Sequence, residues 1–326
     1  MPIASDIVDR LQETAGLGVA TNVPLSSYTR FNIGGPATLF AETPNHEAFQ
    51  SALDIAHESA LPHVVIAGGT NLIVSDSGFP GLVLRFTGAQ MEVNGMRMRV
   101  EAGASLQAVV DHSIAANLQG MQTMTGIPGS LGAAVYGNAG AYGHSIDECV
   151  DRVHYTDGRR TYSLHGSECE FEYRGSIFKR RKDWVILAVE LSFEAGDRSQ
   201  LQQQADEIRT IRDAKYPPTM KCAGSIFKNC FLRQLSAAVQ AEVPAKVVRE
   251  GKVPSAWFLE QVGAKGIRRG DIQVATYHAN LIYNDGNGTA HDLVAVISDL
   301  KQRIRDRFGF QIEEEVQYVG FSQGRL

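Results

Sequence analysis

The sequence is poor in cysteine, and what it has is unpatterned. Its four cysteines, Cys149, Cys169, Cys222 and Cys230, form no C-x-x-C pair. That spacing argues against a zinc site and against a disulfide framework, so no metal is expected and a reducing cytoplasm fits best. No apolar run approaches the about 18 residues of a membrane span, so no membrane partner is expected. The opening stretch, residues 1–16, reads as an amphipathic helix with acids inside it and lacks the apolar core of a signal peptide. No cluster of Lys and Arg interleaves with aromatics, and the formal net charge is -5, which together argue against a nucleic-acid partner. Two nucleotide fingerprints are also missing: there is no G-x-G-x-x-G and no G-x-x-x-x-G-K-[ST], so neither a Rossmann site nor a P-loop is supported.

What is present is an ordinary globular balance, 44% hydrophobic and 21% charged, over 326 residues. That length exceeds one hydrophobic core and implies two or three domains. Residues 44–60 place Phe49, Ala52, Leu53 and Ala56 on one helical face. Strand patterns follow at 63–67 and 82–86. From about 90 to 200 the pattern turns towards strands, at 96–100, 150–155, 161–164 and 185–193, with Asp157-Gly158 as a hairpin signal and one helix at about 106–117. Residues 199–214 read as a helix with Leu201, Ala205, Ile208 and Ile211 inward, stopped by Tyr216-Pro217-Pro218. A last helix spans about 291–308, and a strand spans 311–319. Asn287-Gly288-Thr289 matches a glycosylation acceptor but reads better as a turn before a helix start. The fold class is α+β in three units: 1–85 with 309–326, 86–200, and 201–308.

Glycine is the informative residue, with 32 copies, many of them in two segments. One is Gly68-Gly69-Thr70-Asn71-Leu72. The other is Gly126-Ile127-Pro128-Gly129-Ser130-Leu131-Gly132-Ala133-Ala134, continuing to Asn138-Ala139-Gly140-Ala141-Tyr142-Gly143. Glycines allow tight turns and close approach of backbone N–H groups to phosphate oxygens. A Gly-Gly-Thr after a strand is by itself a common turn. The second segment, with six glycines between Gly126 and Gly143 and alanines where bulk would block access, reads as a pyrophosphate cradle.

These segments, together with Tyr28-Thr29-Arg30-Phe31-Asn32-Ile33-Gly34-Gly35-Pro36-Ala37 ahead of them, resemble the FAD-binding half of the UDP-N-acetylenolpyruvoylglucosamine reductase family. The resemblance covers nearly the whole chain. It implies a flavoprotein whose two-part FAD-binding module belongs to the vanillyl-alcohol oxidase superfamily, with a separate α+β substrate domain. FAD would be held non-covalently, with both glycine segments along its pyrophosphate. NADPH would be the hydride donor and a UDP-sugar the substrate, in peptidoglycan precursor synthesis, with a monomer favoured. No nicotinamide fingerprint is expected, because in this family NADPH is thought to share the substrate cleft.

Three further segments resemble family motifs. Phe171-Glu172-Tyr173-Arg174-Gly175-Ser176-Ile177-Phe178 maps the catalytic arginine to Arg174. Ala223-Gly224-Ser225-Ile226-Phe227-Lys228-Asn229 maps the proton donor to Ser225. Ile312-Glu313-Glu314-Glu315-Val316 maps the catalytic glutamate to Glu315. On a strand, Glu313 and Glu315 share a face and Glu314 points away, which leaves Glu313 as the competitor. Lys215 aligns with a lysine that contacts the substrate pyrophosphate, and Lys228 and Asn229 are further substrate-binding candidates. Taken singly, such residues serve more often in surface ion pairs, turns or solvated faces; their joint occurrence in family order favours chemistry.

The implied chemistry needs these residue types. Hydride from reduced FAD adds to the terminal carbon of an enolpyruvyl ether, and negative charge gathers on the neighbouring carbon and its carboxylate. Arginine offers fixed donors to that charge. A glutamate helps only when protonated, which requires a raised pKa. A serine hydroxyl can protonate so basic an intermediate. The chain departs from the family pattern at Cys230, where proline is usual, and over 231–253, which is longer than expected before a helix at 256–261. The stretch His278-Ala279-Asn280-Leu281-Ile282-Tyr283-Asn284 resembles the shorter subgroup, which lacks an extra substrate-covering insertion. Two competing readings are an alcohol or sugar oxidase with FAD attached covalently to His or Cys, and a flavoprotein that has lost catalysis and serves as a scaffold or sensor.

Overall fold

The structure, a computed structural model, describes residues 3–321. Met1 and Pro2, assigned from sequence to the first helix, and residues 322–326, assigned to the C-terminal part, lie outside the described residues. Local chemistry explains where the helices begin. Asn45 accepts from the amides of Glu47 and Ala48 at 2.8 and 3.0 Å and starts the helix His46–Glu58. Ser105 caps Leu106–Ala115, Asp197 caps Arg198–Lys215, and Thr289 caps Ala290–Phe308. Thr289 therefore serves as a helix start, and Gly309, at φ +73°, ends the same helix in the left-handed region that favours glycine.

Contacts divide the chain into two units. The first comprises the chain up to Val23, Ala37–Gly68 and Pro80–Pro218. It holds a four-stranded sheet in the order Gly18–Pro24, Pro36–Thr43, Phe79–Phe86, His63–Ile66, the last two parallel. It also holds a five-stranded sheet in the order Thr161–His165, Val150–Thr156, Val185–Ser192, Arg97–Glu101, Met91–Asn94, antiparallel throughout. One continuous core joins both sheets to their helices, with Phe49, Leu53, Leu82, Leu84, Val100, Val109, Val135, Val153 and Val189 fully or almost fully buried.

The second unit comprises Pro24–Pro36, Gly69–Phe79 and the chain from Thr219 on. Its antiparallel sheet runs in the order Lys221–Ser225, Leu281–Asn284, Ile272–Val274, Arg268–Arg269. The helices Ser255–Gln261 and Ala290–Phe308 bury Phe258, Leu293, Ile297, Leu300 and Ile304 with Phe227, and Phe31, Ile33 and Ile73 complete this core. Residues 231–253 form an ordered excursion. The pair Cys230–Phe231 and Lys252–Val253 closes its base, and Leu235, Val239 and Val243 sink into the core.

By contacts the chain groups into two units, and three details differ from the sequence reading. The helix Arg198–Lys215 groups with the first unit, while 24–36 and 69–79 group with the second, because Leu72–Val74 pairs with Gln317–Val319 and Asn284 donates to the Phe31 carbonyl at 3.0 Å. Ile211 is not inward: it is 57% exposed, and only Leu201 and Ala205 of that helix are buried. The helix is mostly polar, so a helical period alone extends its inward stripe too far. The expected strand 311–319 is confined to Gln317–Val319. Residues 313–315 pair instead with 226–228, through Lys228 N to Glu313 O at 3.0 Å and Glu315 N to Ile226 O at 2.7 Å. The chain then changes partner at Gln317, whose amide donates to Asn71 O at 2.9 Å, and a change of partner breaks the ladder.

Candidate active site

In the second unit the Ser225 segment is shaped by a bulge. Gly224 takes φ +75°, and the pairing of Lys221–Ser225 with Leu281–Asn284 shifts register between Cys222 and Ser225. An extra residue in one strand bends it and re-aims the side chain that follows. Beyond the bulge the backbone is held by Asn280, which is 3% exposed. Asn280 accepts from Phe227 N at 2.9 Å and donates to Phe227 O at 2.9 Å and to Ser255 Oγ at 2.7 Å. Ser255 Oγ, fully buried, donates in turn to Phe227 O at 3.1 Å. Such a satisfied buried network rigidifies what it holds. Sequence reasoning noted the stretch around Asn280 without giving it this role; the available signal was an amide side chain directly ahead of the apolar strand Leu281–Asn284.

The three glutamates have three different surroundings. Glu313, with its side chain 73% exposed, pairs with Lys228 at 3.1 Å. Glu314 lies against Lys301, with two contacts at 2.8 and 2.9 Å, and accepts from Tyr318 Oη at 3.3 Å. Burial, and then the Glu314 charge, push the Tyr318 phenol well above its ordinary range. Glu315 is half-buried; its amide binds Ile226 O, and its carbonyl accepts from Asn71 Nδ2 at 3.2 Å. Ser225, Lys228, Asn229, Glu315 and Asn71 are thus brought together in one unit. Asn229 Oδ1 accepts from Ser255 N at 3.2 Å, at the start of a helix. Burial, with Glu313 adding to it, raises the Cys230 thiol to about 12.

Arg174 and Lys215 belong to the first unit. Arg174 sits at φ +58° in a turn closed by reciprocal bonds between Glu172 and Gly175, both 3.1 Å. Its guanidinium donates to the carbonyls of Gly140 at 2.7 Å and Asn138 at 3.4 Å. Lys215 ends its helix with Nζ 5.0 Å from the centre of the Tyr216 ring.

Neither glycine segment carries a carboxylate that would repel a dianionic group. No charged residue occurs between Gly126 and Gly143 or between Ala67 and Val74. Gly126 and Gly129 lie at φ +75° and +120°. At Gly69, φ +61°, a Cβ would collide with the carbonyl oxygen of Tyr28, and Gly69 O accepts from Arg30 N at 3.3 Å. Ser130 caps the short helix Leu131–Tyr136 by accepting from Ala133 N at 3.3 Å. Gly132 serves packing, since a Cβ there would press on the Ala102 side chain at 2.8 Å. Gly68 falls in the first unit and Gly69–Leu72 in the second.

Comparison with known proteins matches the chain to known families. Residues 37–159 match the family model described as an FAD binding domain. Residues 216–319 match the model described as UDP-N-acetylenolpyruvoylglucosamine reductase, C-terminal domain. An α+β flavoprotein with a distinct C-terminal domain is therefore the class that fold and motifs define. The UDP-N-acetylenolpyruvoylglucosamine reductase of Solibacter usitatus is 56% identical over 95% of this chain and 100% of its own length. That of Rubrobacter xylanophilus is 33% identical over 91% of this chain and 94% of its own. The chain belongs to the UDP-N-acetylenolpyruvoylglucosamine reductase family. The crystal structure of the Thermus caldophilus reductase shares the fold at TM-score 0.74, with 24% identity over 93% of this chain and 99% of that one. Among the described residues no helix is long and apolar enough to cross a membrane.

Proposed function

We propose that the protein reduces the enolpyruvyl group of UDP-N-acetylenolpyruvoylglucosamine to UDP-N-acetylmuramate with NADPH, as a cytoplasmic monomer in peptidoglycan precursor synthesis. Non-covalent FAD, when bound, supplies hydride transfer between the nicotinamide and the carbon–carbon double bond. Gly68, Gly69, Thr70, Asn71 and Leu72, with Gly126, Ile127, Pro128, Gly129, Ser130, Gly132, Ala133, Asn138, Gly140 and Ala141, form the flavin-contacting segments in this reading. The division into FAD-binding parts 1–85 with 309–326 and 86–200, and a substrate part 201–308, describes which stretches serve which ligand.

Arg174 presents a planar set of donors to the charge that gathers on the substrate carboxylate. Glu315, in its protonated form, donates to the same charge. Ser225 Oγ delivers the proton to the substrate carbon. Lys215, Lys228 and Asn229 face the substrate's anionic groups, and Lys228 exchanges Glu313 for them. Glu313 is the poorer candidate for the catalytic carboxylate, being exposed and already matched by a lysine.

One observation carries the reading: residues 226–228 and 313–315, far apart in sequence, pair backbone to backbone and put the serine and glutamate motifs side by side. The test is the visible spectrum of the purified protein, recorded before and after NADPH and then substrate. A yellow protein that bleaches with NADPH and recovers its colour anaerobically on adding the enolpyruvyl substrate is expected. A protein that cannot be reconstituted with FAD, or whose reduced form ignores that substrate, would overturn it.

A further inference from the structure

Arg174 occupies a backbone conformation that a non-glycine residue adopts only when its surroundings impose it. Those surroundings form a closed circuit. Asn138, itself at φ +42° and 5% exposed, donates from Nδ2 to Glu172 O at 3.1 Å, the first residue of the Arg174 turn. Its Oδ1 accepts from Asp147 N at 3.3 Å, and its amide donates to Val135 O at 3.2 Å. Its carbonyl receives Arg174 Nη1 at 3.4 Å, while Nη2 reaches Gly140 O at 2.7 Å. Past the turn, Ser176 Oγ, fully buried, donates to Tyr136 O at 2.8 Å, and Lys179 Nζ donates to Arg174 O at 2.9 Å.

Each of the four polar groups of Asn138 therefore has a protein partner. Two of the four, Nδ2 and the carbonyl, act directly on the turn that carries Arg174 and on its guanidinium, and the other two, Oδ1 and the amide, tie Asn138 to Asp147 and Val135. We propose that Asn138, within its flavin-contacting segment, is a positioning residue for Arg174, and that Lys179 holds the same turn from its other end. This rests on the reading of Arg174 as the group that stabilises charge on the substrate. Asparagine suits the position on two counts. It tolerates positive φ better than other non-glycine residues, and its side chain offers a donor and an acceptor at once. Aspartate keeps the shape and the acceptor but sets a carboxylate oxygen against the Glu172 carbonyl.

The test is Asn138→Asp in the flavin-loaded protein, with each half of the reaction timed by stopped-flow absorbance per bound flavin. Reoxidation by the enolpyruvyl substrate should fall about ten- to hundredfold further than reduction by NADPH, the usual effect of misplacing a reacting group. Equal losses in both halves would mark a general structural role and overturn the proposal. In an Arg174→Ala background the same change should lower reoxidation less than about twofold, since nothing remains to be positioned; multiplicative losses would overturn it. Hydrogen exchange, read without any turnover, should quicken over residues 170–176 while Val185–Ser192 keeps its protection; unchanged exchange at 170–176 would also overturn it. Should Asn138→Asp fail to fold or to hold flavin, Lys179→Met decides: the same selective loss supports the proposal and an even loss overturns it. If Arg174→Ala by itself leaves reoxidation unchanged, the assignment of Arg174 falls, and this inference with it.

Discussion

The amide of Glu315 donates to the carbonyl of Ile226 at 2.7 Å, so the residue that follows Ser225 is bonded directly to the candidate catalytic glutamate. Phe227 and Glu314 bridge next to it, and Lys228 N reaches Glu313 O. Ser225 and Glu315 therefore share one rigid main-chain frame, and a change to one side chain leaves the other in place.

That frame makes Ser225→Ala a clean test. Losing one oxygen beside a glycine bulge leaves the backbone pairing intact. Reduction by NADPH should stay near the parent rate, while reoxidation by substrate slows by about two to four orders of magnitude, the worth of a positioned acid. Stopped-flow absorbance separates the halves. Equal slowing of both would make Ser225 a structural residue, and no slowing of either would move the proton to another donor.

Gly129→Val should weaken flavin binding without unfolding the protein. Gly129 lies at φ +120°, where a β-branched residue is strained, at about 1–3 kcal/mol. Relief by moving the loop should weaken FAD binding about ten- to hundredfold, which flavin released on mild denaturation and titration of apoprotein will measure. Unaltered occupancy with an unaltered far-UV spectrum would take this loop out of the flavin site.

Asn280→Ala strands the Phe227 amide in a buried place, while the Ser255 hydroxyl keeps its bond to the Phe227 carbonyl. Leaving that amide unpaired should lower stability by roughly 1–3 kcal/mol, seen as an earlier denaturant midpoint for the second unit. A shift of less than about half a kcal/mol would mean that the network contributes little.

The cysteines should resist alkylation in the native protein. Burial raises the thiols of Cys149 to about 11 and of Cys169 and Cys230 to about 12, with nearby carboxylates adding to it, and burial also raises Cys222. The thiolate is the nucleophile, so at pH 8 its scarcity alone should slow reaction of Cys149, Cys169 and Cys230 at least about a hundredfold relative to an unhindered thiol. A raised pKa sets the sign: labelling should climb with pH right up to the range where the fold itself fails. Rapid labelling of any one cysteine at pH 8 would show that its cover opens.

The α+β class and the family were legible in sequence because glycine demands are local. Gly69, Gly126 and Gly129 announce positive φ wherever they fall, and caps such as Asn45 and Thr289 sit next to what they start. Other features were hidden because they depend on partners distant in the chain. The run 313–315 reads as one strand until Ile226 and Asn71 take hold of it in turn. Alternation put Glu313 and Glu315 on equal terms, whereas Lys228 meets Glu313 at the surface and Lys301 meets Glu314 further in. Ile211 fits a helical period, yet the core it was assigned to stops at Ala205. Asn280, in the turn just before the strand Leu281–Asn284, holds Phe227 and Ser255, partners that no local pattern names.

Asn71 and Glu315 are 244 residues apart, and the strands beside them, Leu72–Val74 and Gln317–Val319, complete one another. As the chain leaves the ribosome, the early strand waits unpaired while the whole remaining sequence of the first unit is made. The first unit has its segments in hand by Pro218 and can fold as synthesis proceeds. The second cannot close until its final strand arrives, and the candidate glutamate arrives with it. Closing so long a loop is slow relative to local structure. Substrate turnover should therefore appear late in synthesis, since the strand that completes Leu72–Val74 and the candidate glutamate are made together.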